Sequence, residues 1–129
     1  MNKRHKHIVK TIMLGGWMGC LLVMGALSLT PDLFTAGHNE DKNLHMLAYA
    51  VMSAGAIVIV PGKKLIALAL IFLFCLGWGI EYAQSAIGGR ESSVYDALAN
   101  IMGMGIGIVS GFLIKHGYKK PALDRKSGI

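Results

Sequence analysis

The sequence predicts an all-α, polytopic membrane protein with four transmembrane helices in an up-down-up-down bundle and both termini in the cytoplasm. Three observations predict this fold: an apolar composition, four long apolar stretches and an uneven distribution of basic residues. Of the 129 residues, 53% are hydrophobic and only 16% are charged, which is too apolar for a soluble domain of this size. Residues 1–129 are therefore expected to form one membrane domain.

Each apolar stretch is close to the length that crosses a bilayer, since about 20 helical residues span ~30 Å of hydrocarbon. The stretch 11–29 follows a basic N-terminus and predicts an uncleaved first helix rather than a signal peptide. The stretch 44–60 is the shortest and predicts a second helix, and the third and fourth helices are predicted at 65–83 and 94–114.

Local signals mark the ends of the second helix. Asp41 is expected to be its N-cap, because a carboxylate there accepts hydrogen bonds from backbone N–H groups of the first turn. Pro61 and Gly62 are expected to end it in a tight turn.

The basic residues predict the orientation in the membrane. Short loops rich in Lys and Arg stay cytoplasmic, and eleven of the thirteen basic residues lie before the first stretch, between the second and third, or after the fourth. The loops 30–43 and 84–93 are thus expected outside, with only Lys42 and Arg90 as cations. Basic segments beside spans favour contact with anionic lipid over nucleic acid, so we expect no nucleic-acid partner.

Small residues recur every four positions in the fourth stretch, at Ala99, Gly103, Gly107 and Gly111. The segment resembles a phosphate-binding loop only weakly, because no strand precedes it. A stripe of small residues instead predicts close helix packing. The neighbour is either another helix of the same chain or a second copy, in a homo-oligomer formed through the Gly103, Gly107 and Gly111 face.

Polar residues converge at the predicted outer ends of the last three helices. Helical spacing places them on shared faces, since residues three, four or seven apart lie on the same side of a helix. The three faces are expected to meet at one depth, where ionisable groups are costly and therefore indicate function. The set is Asp41, Lys42, His45, Tyr49, Glu81, Gln84, Arg90, Asp96 and Asn100.

Several chemistries fit this set. A histidine with carboxylates can bind a divalent cation, for which His38, Asp41, His45, Glu81 and Asp96 offer atoms, although no metal-binding spacing is present. Acid–base chemistry by His45 beside a bound phosphate and a proton relay are the other functional options. A fourth option is a structural network that only holds the bundle together.

The order and spacing of these residues resemble the VanZ-like family of small membrane proteins. The resemblance extends from the end of the first helix through the fourth, about two thirds of the chain, although the stretch 85–90 lacks the proline expected before the arginine. It rests on the pattern Ser28-x-x-Pro31, Asp41-Lys42-x-x-His45-x-x-x-Tyr49, and Glu81-x-x-Gln84-x5-Arg90-x-x-Ser93-x-x-Asp96-x-x-x-Asn100-x-x-Gly103.

The resemblance implies an envelope function. The family takes its name from a protein that lowers susceptibility to teicoplanin, an antibiotic that binds lipid-linked cell-wall precursors, and no agreed reaction attaches to it. We therefore expect a bacterial inner-membrane protein with an outward-facing pocket for an envelope lipid or lipid-linked precursor; the cofactor, and whether the protein is an enzyme, are left open. The expected roles are anion binding by Lys42 and Arg90, proton transfer or positioning by His45, Glu81 and Asp96, orientation of these carboxylates by Gln84 and Asn100, and further contacts by Asp41 and Tyr49.

Overall fold

The computed structural model describes residues 2–30, 38–87 and 94–117, with the side chains of 38–41 and 87 left outside the description. The described residues form four α-helices, and each is long and apolar enough to cross a membrane, which confirms the all-α, multi-pass prediction. The helices are α1 (Lys3–Leu29), α2 (His38–Ile59), α3 (Lys63–Ile87) and α4 (Val94–Gly117).

The helices are longer than the apolar stretches that predicted them. The first begins at Lys3 and includes the basic N-terminal residues, which the helix can carry beyond the hydrocarbon layer. The second begins at His38, so Asp41 lies within its first turn, and the prediction that Asp41 is the N-cap is wrong.

The closest packing between the described helices is between α2 and α4. Each buried glycine of α4 lies directly against the backbone of α2, because a side chain at these positions would fill the space between the helices. Gly103 faces Met46, Gly107 faces Ala50, and Gly111 faces Ala54.

These pairs rise together along both helices, so α2 and α4 run in the same direction. The neighbour of the small-residue stripe is therefore a helix of the same chain, which answers the question that the sequence left open. A homo-oligomer through this face stays a prediction, and within one chain α2 already occupies the face.

Polar side chains join the other helices to this pair. The indole N–H of Trp17 on α1 donates to the carbonyl oxygen of Met52 on α2 at 3.0 Å, and the ring packs against Gly55. At the far end of α1, the side-chain amide of Gln84 on α3 donates to the carbonyl oxygen of Ser28.

The opposite end of the bundle is closed by a turn and a lysine. Gly62 has φ = +83°, a conformation that glycine adopts without strain, and it allows the chain to reverse between α2 and α3. The ammonium group of Lys115 on α4 donates to the carbonyl oxygen of Ile57 at 2.8 Å. This bond satisfies one of the carbonyls that the last turn of α2 leaves without an intrahelical partner.

Candidate functional site

Three polar side chains, one from each of α2, α3 and α4, are buried among mostly apolar side chains. Only 3% of Tyr49, 6% of Glu81 and 6% of Asn100 is exposed. Burial of a carboxyl group in a helix that crosses a membrane is costly, and such residues are retained mainly for function. These three residues therefore mark the candidate site.

The absence of a side chain at Gly77 brings the three helices together. A methyl group at this position would lie 3.0 Å from the Tyr49 hydroxyl oxygen and 3.4 Å from the Asn100 amide nitrogen. The first distance is shorter than an ordinary contact with carbon, and the second lies at the lower limit of ordinary contacts. Glu81, one turn further along α3, is close enough to Tyr49 to interact electrostatically with its hydroxyl group.

Two oxygen atoms at this meeting point lack hydrogen bonds from the protein. Within the described residues, the Tyr49 hydroxyl oxygen and the Asn100 side-chain oxygen are buried and have no hydrogen-bond partner. A buried polar group left without a partner costs about 1–3 kcal/mol. Because native proteins rarely tolerate that cost, such atoms commonly face a water molecule or a ligand.

A cation lies nearer the start of the same helices. The ammonium nitrogen of Lys42 is 5.1 Å from the centre of the Tyr95 ring, a cation–π geometry that joins the N-terminal parts of α2 and α4. Asp96 follows Tyr95 in the first turn of α4 and is half-buried. Lys42 and Asp96 thus lie towards the helix starts, and Tyr49 and Asn100 lie deeper.

Two of the remaining predicted residues, His45 and Gln84, have described side chains, and two do not. His45 is half-buried on α2, and the side-chain N–H of Gln84 is used in the bond to α1, between two helices rather than at a carboxylate. Arg90 and the Asp41 side chain lie outside the described residues, so their predicted places at the site stay predictions.

The described side chains do not form a metal centre. In residues 2–30, 42–86 and 94–117, no three His, Cys, Asp or Glu side chains are arranged to share a metal ion. Two of the candidate ligands named from the sequence, His38 and Asp41, have side chains outside this set.

A groove between α3 and α4 is lined at its base by Tyr49 and Asn100. Its enclosed space is about 10 Å³, which is about the room that one water molecule or one hydroxyl group needs. The buried Tyr49 and Asn100 form its inner end. Its outer rim consists of Phe74, Trp78 and Ile101, which are 43%, 55% and 44% exposed on the apolar surface of the bundle. We call this feature the α3–α4 groove.

Sequence reasoning missed three residues that shape the site. Ser53 is fully buried one turn beyond Tyr49, Gly77 lies one turn before Glu81, and Tyr95 carries the contact with Lys42. Four-residue spacing from the predicted residues would have pointed to Ser53 and Gly77, because such positions share a helix face. Tyr95 carried no comparable signal.

Comparison with known proteins found no matching family model, no matching curated protein and no matching solved structure. The fold and site define a multi-pass helical membrane protein with a buried polar cluster. Any assignment to a family rests on the residue pattern of the sequence itself.

Proposed function

We propose that this chain is a VanZ-like protein of the bacterial cytoplasmic membrane whose polar pocket binds or modifies an envelope lipid or lipid-linked cell-wall precursor. The observation that supports the proposal best is the burial of Glu81 with Tyr49 and Asn100 inside a bundle of membrane-spanning length. A glutamine or leucine in place of Glu81 would pack at lower cost, so the carboxyl group is retained for an interaction that needs it.

The proposed roles follow from depth and charge. Lys42, together with Arg90, holds the anionic group of the lipid near the headgroup level, where charge-assisted hydrogen bonds to phosphate are strong. Glu81, Asp96 and His45 position that group or exchange protons with it.

In the proposed orientation the pocket faces the outside or periplasm. Lys63, Lys64 and Lys115 lie at the opposite end of the described helices, and positively charged ends stay cytoplasmic. In a chain whose two native cysteines are replaced, Val94→Cys should react with a membrane-impermeant maleimide in intact cells and Lys64→Cys should react only after lysis. The reverse pattern would invert the proposed orientation.

Mass spectrometry of the lipids that copurify with the protein tests the binding proposal. We expect Arg90→Ala to lower the amount of retained anionic lipid about tenfold or more, because a lost charged hydrogen bond is worth about 1.5–3 kcal/mol. Lys64→Ala removes the same charge at the other end of the bundle and should leave retention unchanged. Equal retention by the wild type and Arg90→Ala would count against anion binding.

A second candidate is a non-enzymatic structural or assembly protein, in which the polar network only holds the bundle together. Two hydrogen bonds between helices favour it, from Trp17 to α2 and from Gln84 to α1. Glu81→Gln separates the two functions, since it removes the charge and keeps the shape. A lower melting temperature with function reduced only in proportion to lost protein favours the structural candidate, whereas lost lipid with an unchanged melting temperature favours binding.

A further inference from the structure

The α3–α4 groove opens sideways rather than towards the ends of the helices. Its rim residues Phe74 and Trp78 pack edge to face with ring centres 6.4 Å apart. The rim lies on the outer surface of helices that cross the membrane, where exposed apolar side chains contact lipid chains. A molecule in the hydrocarbon layer can therefore reach the groove without passing the headgroups.

The inner end of the groove lies deeper than the charged residues. Gly77 is four residues from Glu81 along α3, which corresponds to about 6 Å. Tyr49 is seven residues from Lys42 along α2, which corresponds to about 10 Å. A lipid whose anionic group lies at Lys42 would thus place a different, deeper part of its structure at Tyr49 and Asn100.

The chemistry of the inner end selects the ligand group. The Asn100 side-chain oxygen only accepts hydrogen bonds, while the Tyr49 hydroxyl both donates and accepts. A single hydroxyl group can donate to Asn100 and accept from Tyr49, and so satisfy both buried atoms. An anionic group is disfavoured there, because Tyr49 and Asn100 are buried and an unpaired charge is costly away from water.

We propose that the α3–α4 groove binds a lipid alcohol, meaning a long-chain lipid with a free and uncharged hydroxyl group, which enters sideways from the hydrocarbon layer. The hydroxyl lies between Tyr49 and Asn100, and the chain leaves past Trp78 and Ile101. This inference rests on the proposed function, because it assigns a ligand class to the deep end of the same pocket.

Photolabelling of the full-length protein in lipid nanodiscs tests the inference. The probe is a long-chain alcohol with a photoactivatable diazirine on its chain, and its methyl ether, which cannot donate a hydrogen bond, is the chemical control. We expect the alcohol to label peptides of α3 and α4 about five times more than the ether, as one net hydrogen bond of about 1 kcal/mol implies.

Glycine variants give a matched protein control. Gly77→Ala places a methyl group against Tyr49 and Asn100 and should lower alcohol labelling to the level of the ether. Gly79→Ala adds the same methyl group on the same helix where nothing lies within 4 Å, and should label like the wild type. Tyr49→Phe removes one hydrogen-bonding atom without adding volume, so it tests the site even if Gly77→Ala folds poorly.

The possible results separate this inference from the proposed function. Equal labelling by alcohol and ether, or undiminished labelling of well-folded Tyr49→Phe and Gly77→Ala, would overturn the lipid-alcohol site. If that occurs while retention of anionic lipid still depends on Lys42, the groove inference fails and the proposed function stands. If the alcohol labels the groove as expected but Lys42→Gln and Arg90→Ala retain anionic lipid like the wild type, the groove stands and anion binding fails.

Discussion

Replacement of Gly107 by alanine tests the close packing of α2 against α4, on which the position of the site depends. A methyl group at Gly107 would lie 2.8 Å from the Ser53 Cβ atom and 2.9 Å from the Ala50 carbonyl carbon, with the Ala50 carbonyl oxygen nearer still. Carbon atoms in contact are normally about 3.5–4.0 Å apart. The helices must therefore separate by about 1 Å.

The expected loss of stability is at the upper end of overpacking effects. Insertion of a methylene group into a packed core typically costs about 1–3 kcal/mol. Two of the three nearest atoms belong to the α2 backbone, which cannot turn aside as a flexible side chain can. We therefore expect Gly107→Ala to cost about 3 kcal/mol.

Thermal unfolding in detergent, followed by loss of helical circular dichroism, measures this effect. The control is Gly105→Ala on the same helix, where an added methyl group has nothing within 4 Å. Gly105→Ala should be neutral or slightly stabilising, because alanine favours a helix over glycine. If the two variants unfold at the same temperature, the close approach of α2 and α4 is refuted.

Two further variants test the other helix contacts in the same assay. Trp17→Phe removes the donor to the Met52 carbonyl group and should destabilise the protein by about 1–3 kcal/mol, and an unchanged melting temperature would show that α1 is not held there. Lys115→Met removes the donor to the Ile57 carbonyl group and should cost about 1 kcal/mol. Lys64→Met is its control and should have little effect; an equal loss in both would assign the effect to general charge rather than to the bond.

The helices could be predicted from the sequence because length and apolar composition are local properties. Their ends were predicted less well: the N-cap assigned to Asp41 was wrong because α2 continues back to His38, through polar residues that a hydropathy pattern does not count. The stripe at Gly103, Gly107 and Gly111 predicted close packing, but a pattern on one helix cannot identify the partner. Only the three-dimensional contacts identify α2 as that partner.

The site was predictable in part because the spacing of residues along one helix is also a local property of the sequence. The residue types and helical spacing indicated that Tyr49, Glu81 and Asn100 lie at similar depths, and the structure buries all three. The spacing could not show that Gly77 makes room for Tyr49 and Asn100, or that these two residues line a groove on the side of the bundle. Those features depend on how three helices pack together, which no single helix encodes.

The central claim is that the polar end of the bundle, and not positive charge in general, holds an anionic envelope lipid. Native mass spectrometry of protein released from bacterial membranes measures this most directly, because it detects lipid bound to the intact chain. We predict that the double variant Lys42→Gln with Arg90→Gln loses bound anionic lipid, while Lys63→Gln with Lys64→Gln, which removes the same charge at the other end, keeps it. Equal retention of anionic lipid by the two double variants would contradict the claim.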